Sequence, residues 1–186
     1  MTAAIDPKHH LALLEKRLAE TTNDRHRAVL SVVLKHVKLE AEPVWDLDQI
    51  MATLTPSPAY HIWVNGVDLG PKGADAVRAF YAETIRTRTN FLAIDLERLV
   101  VDDNCAILEG FVKQIYPGSE AARMGMAVDD PTADYLMMSR VLAVLPVDQD
   151  GLMEGEDAYI SGPTSVTKLS PQELPREYVT LARASG

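Results

Sequence analysis

The stretch AYHIWVNGVDLGPKGADAVRAFY, Ala59–Tyr81, decides the fold. Ala59 to Val64 is dense in aromatic and β-branched residues, which suit a pleated, half-buried strand. Gly66, Gly70, Pro71 and Gly73 break that strand and make a connection. Behind them Val77, Phe80, Tyr81 and Thr84 share one face at helical spacing, so 75–87 reads as an amphipathic helix.

Working toward the N-terminus, HHLALLEKRLAE predicts a helix from Pro7 to Glu20, with Pro7 in the first turn where its missing N–H is harmless. Asp24 is placed to N-cap a second helix over 25–42, which Pro43 ends. On that helix Val29, Val33, His36, Val37 and Glu40 fall on one side. Asp46 or Asp48 starts a short third helix, DLDQIMATL, stopped by Pro56 and Pro58. Toward the C-terminus four β segments follow: 91–101, 106–116, 135–147 and 153–160. Their joints include Asp102-Asp103-Asn104, Pro117-Gly118 and Asp148-Gln149-Asp150-Gly151, and such turns favour antiparallel pairing. The expected architecture is α+β: a curved, mixed or antiparallel sheet wrapped around N-terminal helices. It divides into a helical extension (1–23), a main domain (24–161) and a Pro-interrupted tail (162–186). Residues 117–134 make a long joint, read either as a lid or dimer contact or as a disordered loop.

The chain has 186 residues, 47% of them hydrophobic and 24% charged, as expected of one globular domain. A net charge of −9 argues against a broad phosphate-binding surface, so no nucleic-acid partner is expected. Cys105 is the sole cysteine, which excludes an intrachain disulfide or a Cys-rich metal site. No apolar run reaches the ~18 residues of a spanning helix, and MTAAIDPKHH lacks a signal pattern. The expectation is a cytoplasmic protein that does not enter membranes.

Three motifs carry a resemblance: AYHIWVNG, then Gly73-Ala-Asp-Ala-Val-Arg-Ala-Phe-Tyr, then Gly151-Leu-Met-Glu-Gly-Glu-Asp-Ala-Tyr-Ile. Over about residues 24–160 the chain resembles the nuclear transport factor 2-like and SnoaL-like proteins. The second motif is similar to the start of the long helix in ketosteroid isomerases and SnoaL-like cyclases, and the third to the last strand of the fold. The resemblance implies a cone with a deep pocket and, commonly, a homodimer formed through the convex face of the sheet. It does not carry the known catalytic patterns. Where ketosteroid isomerases have their acids, this chain has Ile62-Trp63-Val64-Asn65 and Ala143. Where limonene epoxide hydrolases have theirs, it has Gly110, Val112 and Ala158; Tyr60 alone resembles a tyrosine of that family.

Aligned on Gly151, the resemblance of the last strand implies that Glu156 shares the face of the relatives' catalytic groups, where burial would raise its pKa and suit it to acid/base work; a bulge at Gly155 would instead shift the register and turn it to solvent. Tyr60 offers a phenol to a developing oxyanion, or is a core aromatic. His36 and Glu40, at i,i+4, form either an acid/base pair or a surface pair; His36 with Asp46 is the alternative for a dehydratase. His61 is the reserve base, although it points away if Tyr60 points in. Trp45, Trp63, Phe80, Tyr81, Thr84 and Met137 are the expected lining for a hydrophobic aromatic substrate. No metal site and no cofactor are expected. The function expected from likeness and elimination is a cofactor-independent acid/base enzyme. Within it, the aromatic wall most resembles lyases of lignin-derived diaryl compounds. The alternatives are an isomerase, cyclase or dehydratase, or a non-catalytic ligand-binding dimer module.

Overall fold

The computed structural model describes residues 4–6 and 11–184. Pro7, expected to open the first helix, lies outside them. The first described helix, α1, is Leu11–Glu20, and α2 is Asp24–Glu40. Asn23 rather than Asp24 caps α2, its side-chain oxygen accepting from the His26 N–H; Asn serves as well as Asp there and stands one residue earlier. Helix α3 (Leu47–Met51) opens on Asp46, which accepts from the N–H groups of Asp48 and Gln49.

Strand β1 is Leu54–Val64, longer than the expected start at Ala59. Pro56 and Pro58 lie inside it because β1 leaves its partner there: the register jumps between Leu54 and Ala59. A two-residue strand, β2 (Val67–Asp68), folds back on Trp63 and Val64. Helix α4 is Ala74–Arg86. Then come β3 (Leu92–Val101), β4 (Cys105–Pro117), a short helix α5 (Gly118–Arg123), β5 (Asp134–Pro146), β6 (Met153–Lys168) and α6 (Arg176–Ala184). The six strands form one sheet in the order β2-β1-β6-β5-β4-β3, with β1 and β6 parallel and the other pairs antiparallel.

One segment differs from the sequence expectation. β6 does not stop at Ile160; Ser165–Lys168, rich in β-branched side chains, pair with Tyr135–Met138 after an irregularity opposite Ser139. The tail therefore contributes strand, and then α6. Residues 118–133 are fastened down: Ala121 packs on Tyr116 and Met137, the Gly118 N–H reaches the Ala133 carbonyl, and Lys168 pairs with Asp130 at 2.9 Å.

Helices α1, α2 and α3 fill the concave face through Leu14, Val29, Leu30, Val33 and Ile50, all buried against Leu108, Val141, Ala143 and Met153. On the outer face α6 lays Tyr178 over Phe91, Ala93 and Ile115, with its hydroxyl donating to Asp134. No helix of the described residues is long and apolar enough to cross a membrane.

Candidate functional site

The inner ends of β1 and β6 bring the polar groups together. The parallel register sets Tyr60 beside Glu156, His61 beside Asp157 and Trp63 beside Tyr159. Since side chains alternate along a strand, Tyr60 and Glu156 share one face while His61, Trp63 and Tyr159 share the other. Gly155 makes this register possible. Its φ is +149°, and a Cβ there would stand 1.8 Å from the Ala59 carbonyl oxygen, so only glycine fits.

Facing Tyr60 across the interior is α2. Its i,i+4 pair puts His36 Nε2 3.4 Å from Glu40 Oε1. From α4, Tyr81 enters between them: its hydroxyl donates to Glu40 Oε1 at 2.7 Å, lies 3.1 Å from His36 Nε2, and is 2.9 Å from the Tyr60 hydroxyl. Behind the imidazole, Thr53 Oγ1 is 2.7 Å from His36 Nδ1 and donates to the Ile50 carbonyl at 2.6 Å. Trp45 closes the group, donating from Nε1 to the Glu40 carbonyl and meeting the Tyr81 ring edge-on at 5.5 Å. His36, Thr53, Tyr60 and Tyr81 are each at most 2% exposed. This is a continuous hydrogen-bonded chain in the core, which a low dielectric makes both strong and costly to break.

Burial drives the titration behaviour. Glu156 is pushed up to about 7, first by burial and then by the negative charge of Glu40, with His36 pulling the other way. For His36 burial favours the neutral ring, yet the charge and hydrogen bond of Glu40, helped by Glu156, outweigh it and raise the pKa. Burial, then Glu40, keeps both tyrosines well above the ordinary phenol range. Glu156 thus exchanges its proton near neutrality opposite a histidine whose pKa is raised, and the two tyrosines stay hydrogen-bond donors.

His36, Glu40 and Glu156 line one cavity with the apolar side chains of Val37, Leu92, Ile94, Leu108 and Leu145. Its volume is about 40 Å³. That is space for about three water molecules, at ~10–15 Å³ each, and too little for an aromatic ring. A second groove of about 100 Å³ runs beside it between Pro43, Trp45, Arg88, Phe91 and Tyr178. Trp45 stands in both settings, against Tyr81 on one side and in the groove wall on the other. The deep open pocket implied by the resemblance is therefore filled, chiefly by Tyr60, Tyr81 and Trp45.

Of the residues singled out in the sequence, Tyr60, Glu156, His36, Tyr81 and Trp45 converge. His61 does not: it lies on the outer face, its Nδ1 2.7 Å from an Asp68 carboxylate that Gly70 N–H and Lys72 hold ionised. Trp63 stacks between His61 and Tyr159 on that same face. Phe80 is 37% exposed on the flank of α4, and Thr84 donates to its carbonyl. Met137 points inward but packs under α5, away from the cavity. Asp46 is spent on capping α3, so no His36–Asp46 pair forms. Thr53 was missed, because nothing in its local sequence marks it. Among the described residues one group has metal-ligand spacing, His26 with Asp102 and Asp103, at the β3–β4 turn far from this cavity and with both acids exposed.

No protein-family model matches the chain. No curated protein sequence matches it either. Solved structures do. A SnoaL-like polyketide cyclase of Shewanella denitrificans, so named by inference, superposes with a TM-score of 0.56 at 11% identity, over 70% of this chain and 88% of that one. The epoxide hydrolase/cyclase-like enzyme SalBIII, named for pyran ring formation in the polyether salinomycin, gives 0.54 at 13% identity, over 78% and 98%. A Mycobacterium tuberculosis protein in complex with estradiol-17beta-hemisuccinate gives 0.51 at 14% identity, over 71% and 92%. At these identities the likeness is one of fold. The chain has the α+β fold of SnoaL-like and nuclear transport factor 2-like proteins, with a curved, unclosed sheet around N-terminal helices.

Proposed function

We propose that the protein is a cofactor-independent acid/base enzyme acting on a hydrophobic, ring-bearing small molecule. The observation that carries this reading is the cavity in which Glu156, at a pKa of about 7, faces the His36–Glu40 pair. Near neutrality Glu156 is present both as acid and as carboxylate, which suits a proton donor that must be reloaded each cycle. The His36–Glu40 pair takes the opposite role. The Tyr60 and Tyr81 hydroxyls remain protonated and supply hydrogen bonds to a developing enolate or phenolate oxygen. Isomerisation or aldol-type cyclisation needs these parts and no more. A ring reaches the acids through the Trp45 groove, with Trp45 swinging aside, since the cavity as it stands holds only water-sized groups.

The finer reading is a C–C lyase of lignin-derived diaryl compounds. There a phenolic substrate loses water to a quinone methide; the primary alcohol then loses its proton, formaldehyde leaves, and the electron pair restores the phenol as a stilbene. Glu156 would protonate the departing hydroxyl and His36–Glu40 would take the alcohol proton. The steroid-ester complex of a protein with the same fold favours the second reading, a hydrophobic ligand-binding module. We further place the protein in the cytoplasm, as a homodimer joined through the outer sheet face around Trp63, Leu142 and Tyr159.

The deciding experiment incubates the purified protein with enolisable aryl ketones in deuterated buffer, and with phenolic diaryl diols. Deuterium uptake supports the isomerase or cyclase reading, and formaldehyde with stilbene absorbance the lyase. Loss of either in Glu156→Gln and His36→Gln assigns the residues. Thermal stabilisation by ring compounds without turnover would move the assignment to a binding module.

A further inference from the structure

We propose that Thr53 is a positioning residue that fixes the His36 imidazole with its proton on Nδ1, so that Nε2 is the nitrogen that gives and takes protons. The mechanistic consequence rests on the acid/base reading above; the tautomer itself follows from counting hydrogens. The Thr53 hydroxyl carries one hydrogen. It sits 2.6 Å from the Ile50 carbonyl oxygen, which can only accept, so the hydrogen goes there. His36 Nδ1 lies 2.7 Å from the same hydroxyl oxygen, which must then accept, and Nδ1 must donate. Both side chains are 1% exposed, so water does not compete for either position. Thr53 is itself pinned: its N–H also reaches the Ile50 carbonyl, and its own carbonyl accepts from the Met153 N–H on β6.

A neutral imidazole has one N–H, so with Nδ1 protonated Nε2 is bare. Nε2 faces the Tyr81 hydroxyl at 3.1 Å and Glu40 Oε1 at 3.4 Å. When the ring is neutral, Tyr81 can donate to Nε2. When Nε2 gains a proton, an N–H bond forms there, the Tyr81 hydrogen turns to Glu40 Oε1 at 2.7 Å, and no heavy atom has to move. Free imidazole side chains favour the other tautomer. Without Thr53 the basic lone pair would point at the end of α3, behind the ring and away from Glu40.

The test is two-bond ¹⁵N–¹H correlation spectroscopy on histidine-labelled protein, with His36→Gln assigning the ring signals. Spectra are taken as pH is raised through loss of the ring charge, and also in Glu40→Gln, which removes the carboxylate that raises the pKa of the ring. The expected result is a neutral ring protonated on Nδ1 in the wild type and in Thr53→Ser, and on Nε2 in Thr53→Val. A wild-type ring that is protonated on Nε2 when neutral, or never loses its Nε2 proton, would overturn the proposal. So would a Thr53→Val ring unchanged from wild type. The wild-type and Thr53→Ser spectra decide the matter even if Thr53→Val does not fold. With a substrate in hand, Thr53→Val should lower kcat by roughly 10- to 100-fold at unchanged KM. Absence of turnover with any substrate would count against the enzyme reading and leave the tautomer result standing.

Discussion

Tyr60 and Glu156 are direct neighbours on parallel strands, both turned into the cone, and Gly155 is what lets them meet. Across from them His36 and Glu40 hold Tyr81, whose hydroxyl reaches back to Tyr60. The site is thus assembled from four elements, and each joint can be tested.

Gly155→Ala should be strongly destabilising. A methyl group would meet the Ala59 carbonyl carbon and oxygen, and the φ of +149° is strained for any L side chain. A loss of at least ~1–3 kcal/mol from backbone strain is expected, before the steric overlap is added. Urea unfolding followed by circular dichroism measures it. A shift within error of zero would mean that the strands are not held this close.

Stability should fall with rising pH through the Glu156 transition. Its carboxyl is raised from 4.5 to about 7 in the folded protein, so the unfolded chain releases that proton first. Folding therefore loses stability between those two values and then levels off, by roughly 3 kcal/mol on a unit-by-unit conversion. His36 acts in the same direction: its raised pKa contributes stability that is full below 6.5 and is lost as pH climbs through the folded value. Glu156→Gln should then be more stable than wild type above pH 7 and nearly equal to it near pH 4.5. Denaturation midpoints across that range give the comparison.

Tyr81→Phe and Tyr60→Phe should differ. Tyr81 serves Glu40, His36 and Tyr60, so its hydroxyl is the hub, and its removal leaves Glu40 without that donor. A cost of about 1–3 kcal/mol is expected for Tyr81→Phe. Tyr60→Phe removes one end of the chain and should cost about 1 kcal/mol or less. Equal costs would argue that the chain is not energetically connected.

The outer face carries Tyr159 at 50% exposure and Leu142 at 37%, beside Trp63, with Arg140 paired to Glu97 at 2.7 Å and Lys113 to Asp95 at 2.6 Å nearby. An apolar patch rimmed by satisfied charges suits a second copy of the chain. Tyr159→Glu should turn a dimer into a monomer in sedimentation velocity while leaving the circular dichroism unchanged. A wild-type monomer would contradict the assignment of this face.

How far the sequence could be read follows from these residues. Periodicity located the first four helices and the longer strands, because burial on one face repeats every two or 3.6 residues; β2, α5 and α6 are short or lie in segments read as connection, joint and tail. The i,i+4 spacing exposed His36–Glu40; for Glu156, likeness to the family's last strand pointed inward while the Gly155 bulge left a solvent-facing register open, and the pairing beside Tyr60 settles the face. The same alternation separates Trp63 from Tyr60, three residues apart and so on opposite faces; aromatic character alone had put Trp63 in the lining. Phe80 was grouped with Tyr81 although a one-residue step on a helix turns it outward to 37% exposure. Thr53 could not be found, since its role arises where the turn after α3 brings it under His36. The strand pairing of Ser165–Lys168 was hidden for a related reason: it resumes only after the irregularity opposite Ser139.

The most direct measurement is a ¹³C-detected NMR titration of the glutamate side-chain carboxyls, with Glu156→Gln identifying the Glu156 signal. The expected midpoint is near 7, moving down in Glu40→Gln as the neighbouring charge is removed. A midpoint at the ordinary 4.5, indifferent to Glu40, would contradict it, for Glu156 would then be a solvated carboxylate without a proton to give.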